Sequence, residues 1–170
     1  MPDVIQKDGS IRTDNWVVVP RPEQDESLDI TQLPALIPAD LWVAGYEQFH
    51  GREDIGVWFD SHDEPEILAG KLDQLPLIAV NFPKFVDGRG YSIARLLRER
   101  FGYTGELRAI GDVLLDQLYY MKRCGFDSYV LRPDKDISRA AQSLSVFTQG
   151  YQAATDTDIP LFRRRMAVAS

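Results

Sequence analysis

This sequence predicts an α/β fold: four β/α units on a parallel sheet, with a small N-terminal β-hairpin or meander attached. Two observations in residues 77–134 carry that expectation. Three short runs at 77–80, 107–110 and 128–131 alternate with two segments whose apolar residues recur at helical spacing. Only a few residues connect each run to the next, and strand–helix–strand–helix–strand order with short links calls for parallel strands joined by right-handed crossovers.

In chain order, residues 4–13 predict a hairpin, because Asp8-Gly9 supplies the backbone of a tight I′ turn between two short runs. Residues 16–19 predict a third strand, so that 1–20 form a β appendage too small to own a core. Residues 20–29, with two prolines and four carboxylates, read as a solvated connection. Pro38 is placed to begin a helix as its first residue, with Leu41, Trp42, Tyr46 and Phe49 on the apolar face. Residues 55–59 are the first strand of the body. Asp63 and Pro65 then open a helix in which Ile67, Leu68, Leu72 and Leu75 face inward, and Pro76 closes it.

The second strand, at 77–80, is apolar throughout and so suits burial on both faces. Ile93, Leu96, Leu97 and Phe101 make one helical stripe that ends at Gly102. After the third strand, Asp112 sits where a carboxylate caps a helix N-terminus. That helix carries Leu114, Leu118 and Met121 on one face, flanked by Leu115 and Tyr119, and stops at Gly125. The fourth strand follows at 128–131. Ile137, Ala140, Ala141, Leu144 and Phe147 predict a last amphipathic helix running to about Tyr151, and 155–170 read as a loosely ordered tail ending in a solvated Arg163-Arg164-Arg165. The chain is thus expected to be one domain, 1–170, with a β/α body at 38–151. A partial barrel and an open doubly wound sheet both fit. No G-x-G-x-x-G or P-loop follows any strand, which removes the nucleotide fingerprint and favours the barrel-like version.

Composition narrows the function classes. No apolar run nears the roughly 18 residues of a membrane helix, and the first residues show no secretion signal, so a cytoplasmic protein is expected. The net charge of −7 is unevenly spread: residues 1–80 hold 16 acidic and 5 basic side chains, residues 81–170 hold 10 and 14. The second half could therefore face an anionic substrate or an acidic partner, or the first half could simply solubilise the chain. At this overall charge nucleic acid is not an expected ligand.

In either architecture ligands collect at the C-terminal ends of the strands. Those ends carry Asp60, Ser61 and His62, then Asn81 to Lys84, then Gly111 and Asp112, then Arg132 to Asp134. The second loop runs on through Gly88, Arg89 and Gly90 into a helix N-terminus. Glycines there would let backbone N–H groups approach a small oxyanion, and Lys84, Arg89 and Arg132 could converge on it. Asp60 and Asp112, with Asn81 between them in strand order, admit a second use as oxygen ligands of Mg²⁺. Residues 106–134 resemble a β–α–β piece of the enolase superfamily, which would imply a Mg-dependent lyase or isomerase. No metal is assigned on this basis. Neither His50 nor His62 has a second ligand at zinc spacing, and Cys124, the single cysteine, falls at a helix C-terminus where the dipole disfavours a thiolate.

Residues 75–131, LPLIAVNFPKFVDGRGYSIARLLRERFGYTGELRAIGDVLLDQLYYMKRCGFDSYVL, together with GVWFD upstream, resemble a family of uncharacterised proteobacterial proteins encoded beside assimilatory sulfite reductase. That family is labelled an oxidoreductase involved in sulfite reduction. The resemblance implies a role in sulfur assimilation, with sulfite reductase or another protein of that pathway as partner. Reducing sulfite to sulfide moves six electrons through Cys-held clusters and haem, and one cysteine cannot hold an iron–sulfur cluster. The cofactor is left unknown. An accessory protein that binds the reductase or a small oxyanion is the expected function, and a small-molecule enzyme of the sulfite pathway is the alternative.

Overall fold

The computed structural model describes residues 3–23, 27–147 and 150–168. Eight strands form one sheet: β1 (Asp3–Gln6), β2 (Ile11–Thr13), β3 (Val17–Val18), β4 (Ala35–Pro38), β5 (Ile55–Phe59), β6 (Leu77–Phe82), β7 (Glu106–Gly111) and β8 (Ser128–Tyr129). Their spatial order is β2-β1-β8-β7-β6-β5-β4-β3, with β3 to β8 parallel and β1 antiparallel to both β2 and β8. From β3 to β8 neighbours in the sheet are neighbours in sequence. The strand order never reverses, as a doubly wound sheet requires it to do.

Covalent reach then forces curvature. Strands β2 and β3 lie at opposite edges, yet only Asp14, Asn15 and Trp16 join them. Four peptide steps span at most about 14 Å, whereas eight strands laid flat would separate the edges by about 34 Å. The sheet is accordingly curled into a half-barrel, and the joining segment passes over its concave face.

The two faces differ. Ile37, Val57, Ile78, Val80 and Ala109 point to the convex side and bury the helices α1 (Ala39–Ala44), α2 (Tyr46–Phe49), α3 (Arg89–Arg95), α4 (Leu118–Arg123) and α5 (Ala140–Leu144) in the main core. Leu36, Trp58, Leu77, Ala79 and Ile110 form a smaller cluster on the concave side, with Trp16 and Val130 packed against it. Trp58 fixes the chain just past β3 by donating its indole N–H to the Val19 carbonyl at 2.9 Å.

Several elements differ from the expectation. The N-terminal hairpin is part of the main sheet, through β1 and β8, and β3 joins the far edge. Residues 35–38 are a wholly buried strand, hidden in sequence because Pro34 precedes it and Pro38 ends it; Pro38 is the N-cap of α1 instead of its first residue. The helix predicted at 63–75 is two 3-10 turns, Pro65–Leu68 and Leu72–Gln74, separated by Gly70 at φ +75°. Leu68, Leu72 and Leu75 are buried there, but Ile67 is exposed. The stripe from Ile93 continues past α3 as a π-turn at Leu96–Arg100. The last amphipathic helix ends at Leu144, and the predicted extension towards Tyr151 includes residues 148–149, which lie outside the described residues. Within the tail, Leu161–Val168 is a helix, α6, and Arg164 donates to the Gly150 carbonyl.

Candidate functional site

The C-terminal ends of β5 to β8 carry the polar groups that the sequence singled out. Their loops are tied to one another by side chains. Asp60, leaving β5, accepts from the Ser61 amide at 2.7 Å and from Asn81 Nδ2 of β6 at 3.2 Å. His62 lies 3.7 Å from its other oxygen. Asp63 accepts from the Asp60 amide and from Arg21, and Arg21 reaches Asp40 at the same time. The segment that follows β3 is therefore latched to this rim as well as to Trp58.

The β6 loop is held on both flanks. On one side Asp87 and Arg89 pair, at 2.9 and 2.6 Å, and the Arg89 guanidinium holds the Asp87 carboxyl well below the usual range. Ser61 adds a hydrogen bond to the same carboxylate. On the other side Asp112 Oδ2 accepts from the Phe85 amide at 2.8 Å, while Asp112 Oδ1 accepts from Arg132. Arg132 also binds Asp134, and these two carboxylates, Asp134 first, raise the guanidinium pKa. Gln117, buried, accepts from the Leu114 amide and lies 3.5 Å from the Phe85 carbonyl.

The predicted residues fare differently in this arrangement. Asp112 does not cap a helix; it ties the loops after β6, β7 and β8 together, and Gln117 provides the cap. Arg89 and Arg132 are each engaged by carboxylates of their own loops, so the three cations do not present a common open face. Lys84 is exposed and pairs with no carboxylate among the described residues. A Cβ at Gly88 would touch nothing nearer than the Tyr91 ring at 3.9 Å, whereas Gly90 is buried: a Cβ there would meet the Phe82 ring at 2.7 Å. The smallness of Gly90 thus serves packing, not approach to a ligand. Asp60 and Asp112 are drawn to separate partners, and both Asp112 oxygens are occupied by N–H donors. Among the described residues no group of three His, Cys, Asp or Glu side chains could hold a metal ion.

Two further groups were missed. Asp87 stands two residues before Arg89, a spacing at which a carboxylate can fork onto its own neighbour's guanidinium, and that signal was present. Arg108, in the middle of β7, gave no signal, because a single polar residue in a strand ordinarily marks the solvent face. It is 1% exposed on the concave face. Its Nη1 donates to Asp14, its Nη2 to Glu106 and its Nε to Ser128. Burial would raise the Glu106 pKa, but the Ser128 hydroxyl, Arg108 and Arg12 outweigh it and hold the carboxyl below its ordinary value. Cys124 is buried, and burial pushes its thiol pKa up.

Among the described residues, no helix is long and apolar enough to cross a membrane. The chain matches no curated protein. A family model described as "Bacterial protein of unknown function (DUF934)" matches residues 56–162, from inside β5 to the start of α6. That span covers more than half of the chain and the whole polar rim from Asp60 to Asp134, so the protein belongs to this bacterial family.

Proposed function

We propose that the protein is an accessory component of assimilatory sulfite reduction that works by binding the reductase rather than by chemistry of its own. The sulfite link rests on the resemblance of residues 75–131. The observation that carries the accessory reading is the mutual neutralisation of the strand-end rim. Arg89 is spent on Asp87, and Arg132 on Asp112 and Asp134. A sulfite or sulfate dianion would have to displace carboxylates already in hydrogen-bond contact, which favours a protein partner over an oxyanion. The lone cysteine points the same way, since Cys124 is buried with its thiol protonated.

Copurification from cells grown on sulfate tests this directly. The tagged protein should retain sulfite reductase at low salt, and its deletion should slow growth on sulfate and on sulfite while sulfide restores it. Normal growth of the deletion strain on all three sulfur sources, with no reductase retained, would dismiss the reading.

A further inference from the structure

The C-terminal helix α6 shows apolar and basic side chains together to solvent. Phe162 is 47% exposed and Met166 61%. They stand four residues apart, so they fall on one side of the helix. Arg163 and Arg165 are exposed beside them, and Arg163 lies over the Phe162 ring at 5.9 Å. Neither arginine pairs with a carboxylate among the described residues, and the helix contains no acid. Its position is nevertheless fixed. Arg164 donates to the Gly150 carbonyl and the Leu161 amide to the Tyr151 carbonyl, while Thr155 and Asp156 bind Arg123 at the end of α4. An anchored helix that presents apolar groups between cations is suited to lie in a groove of opposite charge.

A site of that character lies at the far edge of the sheet. β3 is the last strand there and has no strand on its outer side. Between it and residues 27–32 runs a groove of about 230 Å³, below the roughly 300 Å³ at which small-molecule pockets begin. Its size suits one or two side chains. Val17, Val18, Val19, Pro20 and Pro22 supply the apolar wall, and Asp29 lies in the wall opposite. Glu23 follows Pro22 directly. Both carboxylates are exposed, and neither pairs with a cation among the described residues. No cation lines the groove: Arg21, the single Lys or Arg between residues 13 and 51, is turned to Asp40 and Asp63.

We propose that α6 of one copy of the chain docks in the β3 groove of a second copy. Phe162 and Met166 enter among the valines and prolines, and Arg163 and Arg165 face Glu23 and Asp29. Charge selects this groove over the larger ones. The groove beside α5 carries Lys135 and Arg139 against Asp116, and the one beside Phe126 carries Lys7, Arg98 and Lys122 against Asp127 and Asp156, so both would repel a basic helix. Topology requires the second copy. α6 is tied to the end of α4, which leads into β8, and five strand spacings separate β8 from β3, so a chain does not fill its own groove. Reciprocal docking makes the contact twice and closes as a two-fold dimer. The proposal is independent of the link to sulfite reduction.

Sedimentation equilibrium across the micromolar range should give twice the chain mass of 19.3 kDa. Arg163→Glu with Arg165→Glu sets acid against acid in the contact, and Glu23→Lys with Asp29→Lys sets base against base. Each of these two variants should dimerise roughly a hundredfold more weakly than the wild type, with a thermal midpoint close to that of the wild-type monomer, since all four positions are exposed. Mixed in equal amounts they should form a dimer again, because the acidic helix of one meets the basic groove of the other while the native contact completes the pair. A wild-type chain that stays monomeric throughout overturns the inference. So do variants that dimerise as the wild type does, or folded variants whose mixture is no tighter than either alone.

Discussion

Arg108 and Asp14, ninety-four residues apart in sequence, form a 2.7 Å ion pair on the concave face of the sheet, with both side chains almost wholly buried. Asp14 lies in the three-residue segment that joins the two edges of the half-barrel, and Arg108 lies near its middle. The pair therefore nails the crossing segment to the sheet it crosses. Glu106 and Ser128 complete the arrangement, so that Nε and both terminal nitrogens of the guanidinium have acceptors. Buried pairs of this kind contribute little over a well-packed apolar substitute, but breaking one strands a charge.

Arg108→Ala should accordingly destabilise the protein by about 3–5 kcal/mol, through the uncompensated Asp14 and Glu106 carboxylates. Adding Asp14→Asn to that variant should recover part of the loss. Urea unfolding of the single and double variants measures both, and an Arg108→Ala cost no greater than that of an exposed arginine would deny the pair its role.

Acid should act through Glu106. Its folded pKa is depressed below the ordinary value of about 4.3 even though burial opposes the shift. A depressed carboxyl contributes stability above its unfolded pKa and loses it as pH falls through the folded value. Wild-type stability should therefore drop from about pH 5 downwards more steeply than that of Glu106→Gln. The difference between the two unfolding free energies across that window is the test; parallel curves would count against it.

Glycine substitutions should separate packing from conformation. Gly90→Val puts methyl groups into the Phe82 ring and should cost about 1–3 kcal/mol as an overpacked core position. Gly111→Ala should cost more. Its φ is +92°, and the new Cβ would lie 2.4 Å from the Asn81 side-chain oxygen and 2.5 Å from the Phe82 carbonyl. Thermal midpoints rank the two, and the opposite order would show that the β7 turn relaxes more readily than the Phe82 cage.

The tie between Asp112 and the β6 loop is open to hydrogen exchange. In Asp112→Ala the Phe85 amide loses its acceptor, so its exchange should quicken by about tenfold or more, while amides inside β6 keep their protection. Uniform exchange across the loop in both proteins would mean that Asp112 does not hold it.

Cys124, buried against the main core, should resist thiol reagents in the folded protein and react fully once denatured. Cys124→Ser should leave growth on sulfate intact. Rapid labelling of the native protein would contradict its burial.

Sequence showed the body strands because each is a short, mostly apolar run, and the shortness of their links showed them to be parallel. It did not show β4, since Pro34 and Pro38 read as punctuation when in fact Pro34 precedes and Pro38 ends a four-residue buried strand. The missing nucleotide fingerprint favoured a barrel-like sheet, but what sets the curvature was not legible. That property belongs to the pairing of β3 with β4 and of β1 with β8, which are decided by contacts far apart in the chain. At the strand ends, sequence identified the residues but not their partners: a carboxylate after Gly111 can cap a helix or brace a loop, and only the position of the Phe85 amide decides. Arg108 was opaque for the same reason, as the side of the strand it occupies faces solvent in a flat sheet and an interior in a curled one.

The pairing of β1 with β8 has a consequence for how the molecule is made. Ile5 lies opposite Tyr129, and Gln6 opposite Ser128. A ribosome delivers the hairpin first, and for well over a hundred residues thereafter its inner edge has nothing to bind. The parallel core from β4 to β7 can close during that interval, but the first strand synthesised must wait for the last. The core strands β4 to β7 therefore precede the partner that the hairpin's inner edge needs, and a chain truncated just before residue 128 would leave β1 without its β8 neighbour.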